Sequence, residues 1–339
     1  MTHRVKLRSL AKINLDLRVL HKREDGYHEL RTVFQTISLA DAIAIEYTPA
    51  KRTSLAIDDD HQIPNNLVLQ AAQVALDAMK THAQIRFRLR KQIPMGAGLG
   101  GGSSNAAAVL LALPVLAGRV IPFDKLNALA TALGSDVPFF LDGGTALGLG
   151  RGTELYPLAD VQQNAILLVA PGVHVSTVQA YQGLNLRAKP AAGKLTSPAL
   201  SPKINDFRLF VRTLQDVRSA RAASALSAND FESSVFSQHP RLKKIFGKLR
   251  QVSAAHGGTA RMTGSGSAMF AVFDSRQERD EAAAQARKSF GNKRVYGQCD
   301  LIETQLVSRA SYRKLWRRQL APHLLADDSI WPPRSQYAR

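Results

Sequence analysis

The clearest chemical signal in the sequence is a glycine-rich segment, PMGAGLGGGSS, at residues 94–104. Glycine allows positive φ angles and a close approach of the backbone to a ligand, and successive backbone N–H groups can form a concave anion site. The apolar run behind it predicts a helix with Ser103 or Ser104 as N-cap, whose positive end faces the same place. The segment therefore predicts a phosphate-binding loop. The alternative is a glycine-rich turn with no ligand.

The better-known phosphate loops have features that this segment lacks. No Gly-Lys-Ser/Thr follows at the spacing of a Walker A loop. Gly96, Gly98 and Gly101 match a dinucleotide GxGxxG, but Pro94-Met95 stands where a Rossmann strand should lead into it. The His-Arg-Asp and Asp-Phe-Gly motifs of protein kinases do not occur in the sequence. A phosphate loop of another type is therefore expected.

Three polar residues stand out in the segments around this loop. Lys12 and Asn14 alternate with apolar residues, and this period of two predicts a half-buried strand over residues 5–19 with both polar side chains on one face. A solvated face of an edge strand is the alternative. Asp136 lies in the segment Gly-Ser-Asp-Val-Pro at 134–138, where the residues alone also allow a turn or capping role.

Helix and strand periodicities predict the framework that positions these residues. In the first half we expect strands at 33–39, 42–47, 85–89, 145–149 and 166–170, a helix capped by Asn65-Asn66 and running to about 79, a helix from the glycine loop to 113, where Pro114 should end or kink it, and a helix at 123–133. A domain junction is expected at 157–163. In the second half we expect a short helix containing Tyr181, a flexible insertion at 187–205, a helix at 243–252, a second glycine turn at 263–267, a strand at 268–273, a helix at 275–289 and a last strand at 294–301.

Composition limits the class of protein. A chain of 339 residues, 45% of them hydrophobic, is expected to form two soluble globular domains. The net charge of +18 suits an anionic substrate or a nucleic acid, but Lys and Arg are spread along the chain, so a generally basic protein is favoured and a nucleic-acid partner disfavoured. We expect a cytoplasmic protein for three reasons. The chain has one cysteine, Cys299, no leader segment is recognised, and no apolar run approaches the ~18 residues of a membrane span.

Three motifs, in this order, resemble the GHMP superfamily of small-molecule kinases: Lys-Ile-Asn-Leu at 12–15, the glycine loop at 94–104 and Thr-Gly-Ser-Gly at 263–266. Further segments extend the resemblance over residues 7–302: AKINLDL at 11–17, DGYHEL at 25–30, LGSDVPFF at 133–140, PGVHVSTVQAY at 171–181, NDFE at 229–232 and TGSGSAMF at 263–270.

The resemblance implies an α+β fold, that of a two-domain GHMP kinase. The N-terminal domain, residues 1–160, is expected to be similar to ribosomal protein S5 domain 2. The C-terminal domain, residues 161–303, is expected to be a ferredoxin-like α/β sandwich. Substrates would lie in the cleft between the two domains. The basic tail at 304–339 lies outside the resemblance, and the resemblance gives it no role.

The branch that these segments most resemble transfers the γ-phosphoryl group of ATP, bound with Mg²⁺, to the 2-hydroxyl of 4-diphosphocytidyl-2-C-methyl-D-erythritol, on the non-mevalonate (methylerythritol phosphate) route to isoprenoid precursors. By resemblance, Asp136 lies near the acceptor hydroxyl and either takes its proton or positions it. Lys12 keeps Asp136 ionised and offsets the charge of the attacking oxygen. No carboxylate is assigned as a protein ligand of Mg²⁺.

The resemblance also implies the residues that bind ATP. They are the loop residues Pro94, Met95, Gly96, Ala97, Gly98, Leu99, Gly100, Gly101, Gly102, Ser103 and Ser104, with the two serine hydroxyls assisting the phosphates or reaching Mg²⁺. Lys91 and the pair Asn65-Asn66 resemble positions that line the adenine pocket, while a strand-end charge and a helix cap remain open alternatives. Ala97 departs from the glycine usual at that position, which is tolerable if its φ is not positive.

Further residues resemble those that bind the acceptor. Tyr27 and His28 resemble a cytosine-binding pair, a ring for stacking and an imidazole for hydrogen bonding, with Tyr181 stacking from the other side. Asn14 and Thr177 resemble substrate-positioning residues.

Two rival functions stay open. Another kinase of the superfamily, acting on homoserine or mevalonate, would have no need of residues 25–28 together with Tyr181. An RNA-binding protein is permitted by the S5-like fold and the charge, but it would leave Lys12, Asp136 and the glycine loop without a role.

Overall fold

The structure is a computed structural model that describes residues 1–162, 164–184, 201–325 and 330–338. Strands and helices are named in chain order. The strands are β1 (His3–Lys22), β2 (His28–Pro49), β3 (Ser54–Asp59), β4 (Ala83–Arg90), β5 (Thr145–Gly150), β6 (Glu154–Pro157), β7 (Ala165–Ala170), β8 (Thr259–Met262), β9 (Met269–Phe273) and β10 (Asp300–Gln305). The helices are α1 (Leu67–Met79), α2 (Gly101–Ala117), α3 (Phe123–Leu133), α4 (Thr177–Gln182), α5 (Ser201–Val217), α6 (Ala220–Ala223), α7 (Phe231–Gln238), α8 (Pro240–Ala255), α9 (Arg276–Phe290), α10 (Lys293–Tyr296) and α11 (Arg309–Leu320).

The first sheet is built on two long antiparallel strands, β1 and β2. The strand order is β3-β4-β2-β5-β6, and β1 pairs with β2 outside this order. Strand β2 pairs with β5 through its first half and with β4 through its second half. Helices α1, α2 and α3 pack together beside this sheet. The predicted strands at 33–39 and 42–47 are parts of the single strand β2.

Helix α2 is the centre of the N-terminal core. Its residues 104–113 are all buried, as expected for a helix that is apolar on every side. The expectation that Pro114 ends this helix is wrong. The helix continues for one further turn, in which Val115 and Leu116 are buried. It ends at Gly118, which adopts a left-handed conformation (φ 64°).

The second sheet has the antiparallel order β10-β7-β9-β8, with helices α8 and α9 packed beside it. In chain order this is the arrangement of a ferredoxin-like sandwich, so the predicted two-domain α+β fold is confirmed. The last strand was expected at 294–301. It begins instead at Asp300, because Gly297 (φ 67°) follows a short helical turn and pairing with β7 starts only there.

Most of strand β1 is buried on both faces between the two domains. Buried and exposed residues alternate over 5–8, as expected for a half-buried strand, but residues 9–20 are all buried, so the expectation is wrong for the rest of the strand. The backbone of Leu17 exchanges hydrogen bonds with Ala228 and Asp230 of the second domain. The guanidinium of Arg18 lies 2.9 Å from Asp16. Burial raises the pKa of Asp16 to about 6, although the nearby arginine acts to lower it.

The predicted insertion and tail differ from expectation. Of the insertion at 187–205, residues up to 200 lie outside the described part of the chain, and the rest begin α5. The basic tail contains α11, whose side chains Tyr312, Trp316 and Leu320 are buried in the core of the N-terminal domain. Among the described residues, no helix is long and apolar enough to cross a membrane.

Candidate functional site

Lys12 and Asp136 meet in the cleft between the domains. The Nζ atom of Lys12 lies 3.2 Å from Oδ2 of Asp136 and donates a hydrogen bond of 3.0 Å to Oδ1 of Asn14. The side chain of Lys12 is 4% exposed and that of Asp136 is 35% exposed. The pair therefore has a buried cation and a carboxylate open to the cleft.

Two irregularities in β1 position Lys12. The pairing with β2 shifts register between Leu10 and Lys12 and again between Asn14 and Asp16. The first shift frees the N–H of Lys12 from the strand pairing, and it donates to the carbonyl of Leu99 in the glycine loop at 3.0 Å. A β-bulge of this kind redirects a side chain locally. The hydrogen bond to Leu99 joins Lys12 to the glycine loop through the backbone.

Asn14 connects the N-terminal domain to the second glycine turn. Its Oδ1 accepts hydrogen bonds from Lys12 and from the N–H of Gly264 at 3.1 Å. Its Nδ2 donates to the hydroxyl of Thr32 at 2.8 Å, and its own N–H donates to the hydroxyl of Thr263 at 3.0 Å. The amide of Asn14 is thereby fixed beside Lys12.

The glycine loop approaches the second domain closely. Gly96, Gly98 and Gly100 have positive φ. A Cβ added at Gly98 would lie 2.6 Å from the carbonyl oxygen of Thr263, so this position admits no side chain. Ala97 is not among the residues with positive φ, in agreement with the condition set by the sequence. Ala97 and Leu99 are buried, and their carbonyls accept hydrogen bonds from the N–H groups of Ala268 and Lys12.

Helix α2 begins directly behind this loop. Its first hydrogen bond runs from the N–H of Ser104 to the carbonyl of Gly100, so the N–H groups of Gly101, Gly102 and Ser103 have no acceptor within the helix. No side chain caps the helix, and Gly100 is the N-cap. Free N–H donors at the positive end of a helix are a favourable place for an anion.

The prediction that Ser103 or Ser104 caps α2 is therefore wrong. Both serines lie inside the helix. The hydroxyl of Ser104 is buried and donates to the carbonyl of Leu10 at 2.7 Å, so its hydrogen is not directed at a phosphate. Ser103 is half-buried in the first turn.

Two of the residues expected at the adenine also have other partners. The ammonium group of Lys91, 5% exposed, forms an ion pair with the fully buried Asp41. Asn66 caps α1 by accepting from the N–H of Val68 and donating to Asp59, as the alternative interpretation of this residue predicts. Asn65 is exposed beside it. Lys91 and Asn66 therefore have structural contacts rather than free polar groups.

Asp41 is a residue that sequence reasoning missed. Besides Lys91, it accepts hydrogen bonds from the backbone N–H groups of Gln92 and Ile93, both at 2.8 Å, and from Nδ2 of Asn105 at 3.1 Å. It thus joins the segment that leads into the glycine loop to helix α2. The signal in the sequence is a lone carboxylate between the apolar parts of β2.

Aromatic residues form the other part of the cleft. The ring of His28 stacks on that of Tyr181, with centroids 4.3 Å apart, and Tyr181 contacts Phe231 edge-on. Burial, followed by the charge of Asp136, raises the pKa of Tyr181 to about 12. Burial, followed by the charge of Lys22, lowers the pKa of His28. The rings of His28 and Tyr181 are already in contact in this structure, and stacking of Tyr181 on a bound base stays a prediction.

Two cations in this region were not predicted. The guanidinium of Arg151 lies 4.0 Å from the centroid of the half-exposed Tyr27 ring, and Lys22 also lines the cleft. Arg151 stands between Gly150 and Gly152, which is a weak sequence signal for a ligand-facing turn. Thr177 lies across the cleft with its hydroxyl 3.0 Å from that of Ser265.

These groups share a single cleft of about 780 Å³. Its lining includes Lys12, Asn14, Asp136, Tyr27 and Arg151. It also includes His28, Thr177 and Tyr181. Asp136 is the one carboxylate among the described residues of this lining, and the described chain contains no group of three His, Cys, Asp or Glu side chains that could hold a metal ion. A metal here would need ligands from a substrate.

Two protein-family models match the chain. They are described as the GHMP kinases N terminal domain, over residues 66–144, and GHMP kinases C terminal, over residues 209–292. The chain is 48% identical over 336 residues to the 4-diphosphocytidyl-2-C-methyl-D-erythritol kinase of Solibacter usitatus (strain Ellin6076), covering 99% of this chain and 98% of that protein. The enzyme of the same name from Synechococcus sp. (strain JA-3-3Ab) is 38% identical over 284 residues, 82% of this chain and 87% of that protein.

Solved structures agree with this result. A crystal structure of 4-(cytidine 5'-diphospho)-2C-methyl-D-erythritol kinase is 33% identical, with a TM-score of 0.66, covering 89% of this chain and all of that chain (100%). Homoserine kinase from Cytophaga hutchinsonii ATCC 33406 is 16% identical, with a TM-score of 0.67 over 89% of this chain and 95% of that chain, and shows the shared fold. The family models end at residue 292, in agreement with the expectation that the tail lies outside the resemblance, whereas the Solibacter match, over 99% of this chain, includes the tail.

Proposed function

The chain belongs to the GHMP kinase family, and from this premise we propose that its cleft transfers the γ-phosphoryl group of ATP to the 2-hydroxyl of 4-diphosphocytidyl-2-C-methyl-D-erythritol. The observation that carries the proposal is the contact of Lys12 with Asp136 in a cleft that also holds Tyr27, His28 and Tyr181. The 48% identity to the Solibacter enzyme over nearly the whole chain supports the same acceptor. The reaction is a step toward isoprenoid precursors.

ATP binds with its phosphates at the start of α2. The free N–H groups of Gly101, Gly102 and Ser103 donate to phosphate oxygens, and the helix dipole adds a favourable field. Pro94, Met95, Gly96, Ala97, Gly98, Leu99 and Gly100 shape the loop around the nucleotide. Asn65 remains a candidate at the adenine. Ser104, Lys91 and Asn66 act by supporting the loop and α1.

Mg²⁺ accompanies ATP in this proposal and supplies neutralisation of phosphate charge. The cleft suits an ion that keeps water and phosphate ligands, because Mg²⁺ uses one or two carboxylates rather than an all-protein cage and Asp136 is the carboxylate present among the described lining residues. The hydroxyl of Ser103, in the first turn of α2, is a second protein oxygen that could reach the ion beside the phosphates.

Phosphoryl transfer requires alignment and charge stabilisation more than covalent chemistry. Asp136, the exposed member of the pair, accepts a hydrogen bond from the acceptor hydroxyl. It takes the proton of that hydroxyl as the new O–P bond forms and the bond between the γ-phosphorus and the bridging oxygen breaks, which releases ADP. The ammonium group of Lys12 lies beside it and stabilises the negative charge that develops on the attacking oxygen. Asn14 holds the ammonium group in place.

The acceptor is recognised through its cytidine diphosphate part. Tyr27 offers a half-exposed ring for stacking, and neutral His28 hydrogen-bonds the base edge, with the ring of Tyr181 supporting the imidazole. Arg151 and Lys22 place positive charge beside the diphosphate. Thr177 and Asn14 contact the erythritol part. We place the reaction in the cytoplasm, where the free Cys299 stays reduced.

An acceptor panel tests this proposal. ADP release would be measured with ATP, Mg²⁺ and each of four acceptors: 4-diphosphocytidyl-2-C-methyl-D-erythritol, homoserine, mevalonate and galactose. Mass spectrometry would check that the acceptor gains one phosphoryl group. We expect turnover with the cytidine compound alone. Turnover with homoserine, mevalonate or galactose instead would contradict the proposed acceptor.

A further inference from the structure

The tail of the chain docks on the turn that carries Asp136. Two residues after Asp136, the short 3₁₀ segment Pro138–Leu141 begins, followed by Asp142 and the turn Gly143-Gly144. Helix α11 and the segment around Trp331 lie against this stretch, which we call the Asp136 turn (residues 136–144). The contact is between the last part of the chain and one side of the cleft.

Several polar contacts attach the tail to the Asp136 turn. The hydroxyl of Tyr312 donates to the carbonyl of Phe140, and the indole N–H of Trp331 donates to the carbonyl of Leu141 at 3.0 Å. Arg309 and Arg313 both form ion pairs with Asp142, with Nε of Arg309 at 2.9 Å from Oδ2. Tyr312 is fully buried, and burial raises the pKa of its phenol. Its hydroxyl thus stays protonated as a donor.

The shape of the turn is adapted to the tail. Gly143 and Gly144 both have positive φ. A Cβ added at Gly143 would lie 2.7 Å from the ring of Tyr312, and one at Gly144 would lie 2.6 Å from Cβ of Arg309. The backbone of the turn therefore packs directly on α11, with no side chain between them.

The aromatic side chains of the same turn pack on residues that also contact Lys12. A Cβ added at Gly100 would lie 2.9 Å from the ring of Phe140 and 3.1 Å from Cγ of Lys12, so these three groups pack together. Phe139 packs on Phe34, whose ring centroid lies 5.3 Å from Nζ of Lys12. The bond from Tyr312 to Phe140 thus fixes a residue whose ring packs on Gly100 of the glycine loop, as Lys12 also does.

We propose that Tyr312 is a positioning residue, which holds the Asp136 turn so that Asp136 and Lys12 keep their contact. This inference rests on the proposed function for its kinetic readout. The hydrogen bond from the hydroxyl of Tyr312 to the carbonyl of Phe140 is the contact that matters. Phe140 lies in the chain between Asp136 and Asp142, so this bond holds the backbone that carries both carboxylates. The tail is in this respect part of the active site's support.

The test compares Tyr312→Phe with Ser335→Ala. Each removes one buried tail hydroxyl that donates to a backbone carbonyl, but Ser335 donates to Val115 of α2, away from the turn. Asp142→Asn is a second variant that weakens the same attachment while keeping Tyr312. For each, kcat, both KM values, the melting temperature and amide hydrogen exchange over residues 137–143 would be measured.

We expect Tyr312→Phe to lower kcat about tenfold with both KM values little changed, since a small misplacement of reacting groups is costly, and to speed exchange over 137–143. Asp142→Asn should act in the same direction, and Ser335→Ala should leave kcat and that exchange unchanged. Wild-type kcat and exchange in Tyr312→Phe, or an equal loss of kcat in Ser335→Ala, would overturn the inference. If the wild-type chain did not phosphorylate the cytidine acceptor, the proposed function would fail, and the exchange comparison would still decide whether Tyr312 holds the turn.

Discussion

At Lys12, burial and charge act in opposite directions. An ammonium group that is 4% exposed would be costly to bury without partners. Here it has the carboxylate of Asp136, the amide oxygen of Asn14 and the face of Phe34. Because Asp136 is the partner open to the cleft, the pair can respond to an acceptor while Lys12 stays fixed.

Arg151 allows a direct test of acceptor binding. We predict that Arg151→Ala raises KM for 4-diphosphocytidyl-2-C-methyl-D-erythritol about tenfold, because the variant loses a charge-assisted contact to the diphosphate and the cover of the Tyr27 ring. KM for ATP and the melting temperature should change little. The exposed Arg88, on β4, provides the control Arg88→Ala, for which both KM values should stay at wild type. An unchanged acceptor KM in Arg151→Ala would remove this residue from the site.

His28 gives the acceptor site a pH dependence. Burial and Lys22 lower its pKa from 6.5, so the imidazole is neutral above that pH and gains a proton only below it. Its neutral form contributes to stability above pH 6.5, and this contribution is lost as the pH falls through the lowered pKa.

We accordingly predict that acceptor KM is flat above about pH 6.5 and rises as the pH falls further, since a second positive charge beside Lys22 disfavours the hydrogen bond to the base. In His28→Asn, which does not titrate, this acid rise should disappear. An identical rise in the variant would assign the titration to another group.

At the scale of elements, the glycine loop fits closely against the second domain. Gly98 has φ 79° and lies against Thr263 and Gly266 of the second glycine turn. Gly264 in turn contacts the backbone of Gly98. The loop therefore holds its form only while both domains are in place.

Gly98→Ala tests this closeness. The methyl group would meet a backbone carbonyl at 2.6 Å in a conformation that alanine disfavours, so we predict a loss of at least ~1 kcal/mol in the free energy of unfolding and a raised KM for ATP. Gly247→Ala is the control, because nothing lies within 4 Å of its added Cβ in the middle of α8. That variant should be stabilised by about 0.5–1 kcal/mol. Denaturant unfolding and ATP kinetics would measure both, and a neutral Gly98→Ala would contradict the contact.

Local signals predicted the elements well where the chain itself decides them. Helix α3 has the predicted limits, between Pro122 and Gly134, and Asn66 caps α1 as its type suggests. The contacts of Lys91 and Ser104 were missed for a different reason. Their partners, Asp41 and the carbonyl of Leu10, are distant in sequence, and a single sequence does not show which polar groups meet. The resemblance identified Lys12 and Asp136, but Arg151 and Tyr312 depend on tertiary contacts alone.

At the scale of the whole molecule, the tail completes the N-terminal core. The buried side chains of Tyr312, Trp316 and Leu320 join the cluster that includes α2 and the strands β1 and β2. Two of the cations that make the tail basic, Arg309 and Arg313, are paired with Asp142. These contacts favour a structural role for the tail over an independent binding segment.

Truncation tests this role. A chain ending at residue 307 loses three large buried side chains, each contributing roughly 1.5–3 kcal/mol, which is a large part of the ~5–15 kcal/mol that stabilises a domain. We predict loss of the cooperative unfolding transition and of kinase activity together. A chain ending at residue 325 keeps α11 and should retain a cooperative transition at a lower temperature. Full activity of the chain ending at 307 would contradict this account.

The most direct test of the central claim is the steady-state rate of ADP release with 4-diphosphocytidyl-2-C-methyl-D-erythritol for the wild-type chain, Asp136→Asn and the exposed control Asp124→Asn. The amide introduced by Asp136→Asn can still accept a hydrogen bond from Lys12 but cannot take the acceptor's proton. The account predicts turnover by the wild type and by Asp124→Asn, and a fall in kcat of about 10²–10⁴-fold in Asp136→Asn with an unchanged melting temperature. Wild-type kcat in a folded Asp136→Asn would contradict it.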